Sequence, residues 1–148
     1  MKNALFLAAC LLFAGPLMAD DDDNKVKELG MAGLLSGSNK VDLPEVMLSV
    51  GEPLGKPWKL KSGTYYEVEI TSDGSGEIGL DISEFSRAVW IDEIVIEGLE
   101  IRPYGVESIE FDDAGTMEIG FVAIKPGRYT IRIPGSTGES QKLDVEIK

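Results

Sequence analysis

Apolar and polar residues alternate along most of this chain from Val46 onward. In the stretch YYEVEITS, for example, Tyr66, Val68 and Ile70 are separated by polar residues. A period of two puts alternate side chains on one face of a sheet, so the pattern predicts half-buried strands. The inward-facing residues predicted for the other strands are Ile78, Leu80, Ile82, Ile109, Phe111, Met117, Ile119, Phe121, Ala123, Tyr129, Ile131, Ile133, Leu143, Val145 and Ile147.

Turn sequences separate these predicted strands. The segments 72–76 (SDGSG), 112–115 (DDAG) and 125–128 (KPGR) contain glycine, which accepts a positive φ, or proline, which presets φ. No long amphipathic helix lies between the strands, which argues against a parallel α/β architecture. The sequence therefore predicts an all-β fold, an antiparallel β-sandwich.

The segment 81–103 (DISEFSRAVWIDEIVIEGLEIRP) interrupts this regular alternation. Ser83 is a candidate helix N-cap, because its hydroxyl can accept the backbone N–H of Ser86. Glu84 would then lie at the positive end of the helix dipole. We therefore expect a short helical turn near residues 83–90.

The same segment carries the candidate ligand or partner surface. Phe85 and Trp90 are aromatic residues on either side of Arg87, a cation among several carboxylates. Aromatic and arginine side chains are enriched at the centres of protein interfaces and in ligand pockets. The alternative is a lid that closes the sandwich core while Arg87 pairs with a nearby acid.

The first 19 residues have the pattern of a cleaved signal peptide. Lys2 precedes an apolar stretch, and Ala19 is the small residue expected before the cleavage point. The pattern indicates export to the periplasm, with no membrane insertion after cleavage. Lipidation at Cys10 is the alternative, but it would leave the apolar residues 11–19 attached to the mature chain.

One domain is expected after cleavage. The acidic run Asp20–Asp23 should repel itself and form a solubilising tail, and the glycine-rich residues up to Lys40 are compatible with a short helical turn or an irregular strap. The predicted boundaries are therefore a signal peptide at 1–19, an acidic tail and strap at 20–40, and a β-sandwich at 41–148.

The charge of the chain restricts its partners. It carries 14 basic and 26 acidic residues, a formal net charge of −12. Such a surface repels nucleic acid and anionic lipid, so no nucleic-acid partner is expected. A cationic periplasmic protein is the partner class that this charge favours.

Three segments of the chain resemble cupredoxins, the β-sandwich family that includes the blue-copper proteins. The segment 59–63 followed by Tyr65–Thr71 resembles an early strand of that family, and Glu107–Phe111 resembles the strand before its metal-binding end. The Pro-Gly-x-Tyr sequence within 121–131 resembles the entry to its ligand-bearing hairpin. The resemblance extends from Lys56 to Lys148 and implies a Greek-key β-sandwich.

The residues that bind copper in that family have no counterpart here. In copper-binding members the loop after this hairpin strand carries cysteine, histidine and often methionine, whereas residues 133–141 here read IPGSTGESQ. The whole chain has no histidine, and Cys10 in the leader is its one cysteine. Because a blue-copper centre needs thiolate and imidazole ligands, no metal role carries over, and we expect no cofactor.

Three classes of function follow. The favoured one is a periplasmic, cupredoxin-like binding or accessory module that contacts a protein or small ligand through its loops. The second is a calcium-type site made of carboxylate oxygens, with Asp92, Glu93, Asp112 and Asp113 as candidate ligands. An enzyme is not expected, because no set of residues indicates a catalytic geometry, and no catalytic residue is proposed.

Overall fold

The computed structural model describes residues 33–148. The predicted signal peptide, the alternative lipidation at Cys10, the acidic run Asp20–Asp23 and the first part of the strap lie outside these residues. Within them, no helix is both long and apolar enough to cross a membrane.

Two mixed β-sheets pack face to face. The strands in chain order are β1 (Lys40–Asp42), β2 (Val46–Leu48), β3 (Trp58–Leu60), β4 (Tyr65–Ser72), β5 (Ile78–Asp81), β6 (Val89–Ile96), β7 (Leu99–Ile101), β8 (Ser108–Phe111), β9 (Gly115–Ala123), β10 (Gly127–Arg132) and β11 (Lys142–Ile147). One four-residue helix, α1 (Ser83–Ser86), joins β5 to β6. Short 3-10 turns occur at Gly37–Asn39 and Glu139–Gln141.

Each sheet is five strand positions wide, since β1 and β2 lie end to end along one edge of β4. The six-stranded sheet has the order β1-β4-β9-β6-β7, with β2 also paired to β4, and the five-stranded sheet has the order β3-β11-β10-β5-β8. Strands β7 and β8 form the edges on the same side of the sandwich. The chain crosses between the sheets several times, from β4 to β5, from β5 to β6 and from β7 to β8.

The predicted core is confirmed. Of the alternating residues, those of β4, β5, β9 and β11 face inward and are buried, and Phe121 at the centre is completely inaccessible. Its ring packs edge-on against Phe85, with centroids 5.0 Å apart, and stacks on Tyr66 at 5.8 Å. Ile109, Phe111, Tyr129 and Ile133 lie nearer the ends of the sandwich and are only partly buried.

The all-β sandwich is confirmed, but the pairing is not purely antiparallel. Strands β1 and β2 both run parallel to β4, and β3 runs parallel to β11. These short strands come before the regular alternation, or at its beginning, and each joins an edge of a sheet. The alternation of side chains in a strand indicates which residues are buried but not the direction in which the strand pairs. The sequence therefore did not indicate the parallel pairing.

The helical turn forms, but Ser83 is not its cap. Helix α1 covers Ser83–Ser86 only, and residues 89 and 90 already belong to β6. The N-cap residue is Ile82, whose carbonyl accepts the Ser86 N–H at 2.8 Å. Asp81 supplies the side-chain acceptor instead, taking the Ser83 N–H at 2.9 Å on Oδ1. This contact lowers the pKa of Asp81, because the hydrogen bonds from Ser83 favour the ionised carboxylate.

Candidate functional site

A groove of about 620 Å³ opens between β7 and β8, where the two sheets part. Its floor is apolar and is formed by side chains from both sheets: Ile94, Ile96, Ile101, Ile109, Phe111 and Met117. Ile94 and Met117 are buried, whereas Ile96 and Ile101 are each about 40% exposed. The groove therefore continues the core of the sandwich out to the surface.

The β6–β7 hairpin explains why this apolar surface is open. Ile96 pairs with Leu99 and Ile94 with Ile101, so these side chains share one face of the hairpin. That is the inner face of the six-stranded sheet, to which buried Ile94 belongs. The five-stranded sheet ends at β8 and does not cover it, and Leu99 is left 63% exposed.

Acidic residues form the rim of the groove. Glu97, Glu110, Asp112 and Asp113 contribute to its lining, and no basic side chain does. Among residues 33–148, none of these four forms an ion pair; the ion pairs found there involve other acids, such as Glu107 with Arg87. An apolar floor with uncompensated negative charge around it is the main chemical feature of this side of the molecule.

Three of the acidic side chains lie together. Carboxylate oxygens of Glu77, Glu110 and Asp112 are within 4.8 Å of one another, on the exposed end of the β5–β8 pair. The pairing of Ile78 with Phe111 explains this, since it places the residue before β5 beside the residue after β8. The carboxyl group of Glu77 raises the pKa of Glu110 in two ways. It shares a hydrogen bond with the Glu110 carboxyl group, and its negative charge disfavours a second negative charge on Glu110.

The outer edge of β8 has unpaired backbone groups. Within the described residues β8 pairs with β5 alone, and the Ile82 N–H donates to the Glu107 carbonyl at 2.9 Å. In an antiparallel ladder hydrogen-bonded residues alternate, so Ile109 and Phe111 bond to β5. The N–H and C=O groups of Ser108 and Glu110 therefore point away from β5, toward the open side.

Only two of the three residues predicted to form a partner surface, Arg87 and Trp90, are exposed. Phe85 is 2% exposed and packs between Trp58 and Phe121, so it belongs to the lid that was the alternative for this segment. Arg87 is exposed and lies 3.4 Å from Glu107, and Trp90 is 47% exposed on β6. A partner surface at Arg87 and Trp90 stays a prediction, and Phe85 has to be removed from it.

Two of the four predicted cation ligands are held by other contacts. Asp92 and Glu93 each bind the guanidinium of Arg102, at 3.0 and 2.9 Å, and the Tyr65 hydroxyl lies 3.4 Å from Asp92. Asp112 joins the group with Glu77 and Glu110, whereas Asp113 only lines the groove. The carboxylates that the fold brings together are thus largely different from those expected.

A second charged network covers the outer face of the six-stranded sheet. Lys40 binds Glu67, and Glu67 neighbours Glu118 on β9. Burial, followed by the negative charge of Glu67, raises the pKa of Glu118. Burial and the nearby carboxylates of Glu93 and Asp92 raise the pKa of the Tyr65 hydroxyl as well. The two cations, Lys40 and Arg102, offset much of the negative charge here, unlike at the groove.

The donor atoms of the described residues do not fit a type 1 copper centre. Such a centre takes two imidazole nitrogens and a thiolate, and residues 33–148 contain neither histidine nor cysteine. In the 133–141 loop, the Arg132 guanidinium donates to the Ser136 carbonyl, and the Gln141 side chain donates to the Glu52 carbonyl. These contacts hold the loop by hydrogen bonds between protein groups.

Sequence reasoning missed the groove, although one signal for it exists. In IVIEGLEI, residues 94–101, two apolar segments flank Glu97-Gly98, which is typical of a two-residue hairpin. Both central residues have positive φ, 49° and 82°, as a type I′ turn requires. Which strand would cover this hairpin depends on sheet order, and the sequence pattern does not specify sheet order.

The fold is similar to domains of copper proteins. A multicopper oxidase from Pseudomonas Thermotolerans aligns with 84% of this chain and 32% of its own, at 15% identity and a TM-score of 0.51. A copper nitrite reductase from Nitrosomonas europaea aligns with 64% of this chain and 33% of its own, at 11% identity and a TM-score of 0.48. The chain thus aligns with about a third of each of these proteins, and the likeness to the multicopper oxidase shows a cupredoxin-like fold.

No protein-family model matches the chain, and a search of curated proteins finds no relative.

Proposed function

We propose that this protein is an exported, cupredoxin-like binding or accessory module without a redox copper centre, and that it binds a cationic protein in the groove between β7 and β8. The observation that carries the proposal is the apolar floor surrounded by acids that have no cationic partner among residues 33–148. Exposed apolar surface of this kind marks binding sites in soluble proteins.

The charge of the rim favours a basic partner over other ligands. Glu77, Glu110 and Asp112 lie close enough to repel one another, which the raised pKa of Glu110 reflects. Lysine or arginine side chains of a partner would relieve that repulsion, and the net charge of −12 would speed their approach. Apolar side chains of the same partner would cover Ile96, Leu99 and Ile101.

The absence of redox chemistry rests on the donor atoms. Histidine does not occur in the sequence, and its one cysteine is Cys10, within the predicted signal peptide. The oxidase and the reductase named above therefore suggest a shared scaffold but no shared reaction. Export to the periplasm is part of the same proposal and depends on that signal peptide.

A peptide of alternating lysine and valine tests the binding function. We expect it to bind the purified protein, and a glutamate–valine peptide not to bind. A lysine–serine peptide should bind at least about tenfold more weakly, because it lacks apolar side chains. Raising the ionic strength from about 0.01 M to about 0.1 M shortens the Debye length from about 30 to about 10 Å, so the affinity should fall.

A charge-matched pair of variants assigns the binding to the groove. Glu110→Gln combined with Asp112→Asn should weaken binding of the lysine–valine peptide by about tenfold. Glu69→Gln combined with Glu84→Gln makes the same change in net charge at exposed positions elsewhere and should leave the affinity within about twofold. Equal losses in both variants, or no binding of the peptide at all, would overturn the proposal.

Cation binding is the second candidate function, and the Glu77, Glu110 and Asp112 group favours it. Three carboxylates within 4.8 Å of one another are the hard oxygen ligands that calcium prefers. Calorimetric titration with calcium chloride distinguishes the two functions. Heat that disappears in Glu77→Gln would support this candidate, and an absence of heat together with peptide binding would reject it.

A further inference from the structure

We infer that the partner segment binds as an extended β-strand paired to β8, extending the five-stranded sheet by one strand. This inference rests on the proposed function and specifies how its partner is recognised. Strand addition to an exposed sheet edge is an established mode of peptide recognition, in which backbone hydrogen bonds give affinity and alternate side chains give specificity.

The groove between β7 and β8 leaves a place for such a strand. The six-stranded sheet extends to β7, and the five-stranded sheet stops at β8. The strand β8 does not cover the inner face of the β6–β7 hairpin, where Ile96, Leu99 and Ile101 are between 40% and 63% exposed. A strand added beside β8 would lie opposite these side chains and bury them.

The backbone of β8 is oriented to pair with a further strand. Ser108 and Glu110 direct their N–H and C=O groups away from β5, because the Ile82–Glu107 hydrogen bond fixes the alternation of the ladder. Unpaired edges of this kind promote association with another chain. The adjacent acids allow a basic strand to approach and disfavour an acidic one.

Side-chain alternation then defines the chemistry of the partner strand. Residues facing inward meet the apolar floor, so they should be apolar and preferably branched. Residues facing outward lie beside Glu110, which is on the outer face of the five-stranded sheet with Glu77 and Asp112 near it. These outward residues should be lysine or arginine.

Two alternatives agree less well with the structure: addition of the partner strand to the β7 edge, and pairing of β8 with a second copy of this chain. A strand added to β7 would widen the six-stranded sheet and leave its inner face uncovered. The acids near the β7 edge, Asp92, Glu93 and Glu100, are already paired with Arg102, so they attract a basic strand less than the unpaired acids of the groove. A second copy would bring the same acidic rim and a net charge of −12, which opposes self-association.

Ser108→Pro tests strand pairing without changing any charge. Proline removes the outward N–H at residue 108 but leaves the Glu107 carbonyl free to accept from Ile82. We expect binding of the lysine–valine peptide to weaken by at least about tenfold. Ser108→Ala keeps the N–H and serves as the matched control, with an affinity within about twofold of the original.

N-methylated peptides give the same test without altering the protein. In an extended strand the valine N–H groups point to one edge and the lysine N–H groups to the other. One peptide methylated at valine nitrogens and one methylated at lysine nitrogens have the same charge, and only one of them should lose binding. Amide exchange at Ser108 and Glu110 should slow when the unmethylated peptide binds.

The outcomes separate this inference from the proposed function. If the peptide binds, but Ser108→Pro and both methylated peptides bind as well as their controls, the groove is a binding site and strand pairing is wrong. If both methylated peptides lose binding equally, edge-specific pairing is also wrong. If the unmodified peptide does not bind, the proposed function falls and this inference with it.

Discussion

The ring of Tyr65 lies against the backbone of Gly120, on the outer face of the six-stranded sheet. A Cβ atom at residue 120 would stand 2.7 Å from the Tyr65 hydroxyl oxygen and 3.3 Å from Cγ of Glu93. Glycine at this position thus lets the tyrosine ring lie against the sheet, with its hydroxyl toward Asp92. The contact helps to bury Tyr65, which is 4% exposed on a face that also carries Glu67, Glu93 and Glu118.

Gly120→Ala should therefore destabilise the protein. The added methyl group forces the Tyr65 ring to move, a form of overpacking that costs about 1–3 kcal/mol. Urea unfolding measures the change. Gly105→Ala is the control, since no atom lies within 4 Å of the position that its added methyl group would take, and its free energy of unfolding should change by less than about 0.5 kcal/mol. Equal effects of the two substitutions would show that Tyr65 does not restrict residue 120.

A second prediction on stability concerns Glu97, in the turn of the β6–β7 hairpin. Glu97 has φ of 49°, a conformation that costs a residue with a side chain about 1–2 kcal/mol unless it is asparagine, aspartate or glycine. Glu97→Asn creates the Asn-Gly sequence preferred in type I′ turns and should raise the free energy of unfolding by about 1 kcal/mol. Glu97→Gln removes the same charge without improving the turn, and a gain of equal size in that variant would assign the effect to charge.

The sequence pattern determined the strands and the core, but not the site. Alternation identifies Val68, Ile119 and Val145 as inward-facing because burial is a property of each strand by itself. The meeting of Glu77 with Glu110 depends on which strands pair, and residues 33 positions apart in the chain carry no local signal of that pairing. Phe85 and Trp90 illustrate the same limit, since two aromatic residues in one segment have opposite exposures.

Phe85 and Trp90 should accordingly respond differently to truncation. Phe85 is buried between Trp58 and Phe121, so Phe85→Ala should lower the free energy of unfolding by about 3–5 kcal/mol. Trp90→Ser removes a half-exposed side chain and should cost much less. Thermal unfolding followed by circular dichroism compares the two variants. Similar losses would mean that the lid over the core depends on both residues.

Glu118 gives the expectation for pH dependence. Its pKa in the folded protein lies above the ordinary glutamate value of 4.5, first because of burial and then because of Glu67. Folding therefore favours the protonated form, and the contribution of Glu118 to stability is complete below the unfolded pKa and is lost as pH rises through the folded pKa. Glu118→Gln stays neutral, so its stability relative to the original protein should increase from about pH 5 to about pH 8. Glu69→Gln makes the same charge change at an exposed position of β4. If its stability relative to the original protein rises as steeply over this range, general charge repulsion rather than the burial of Glu118 governs the pH dependence.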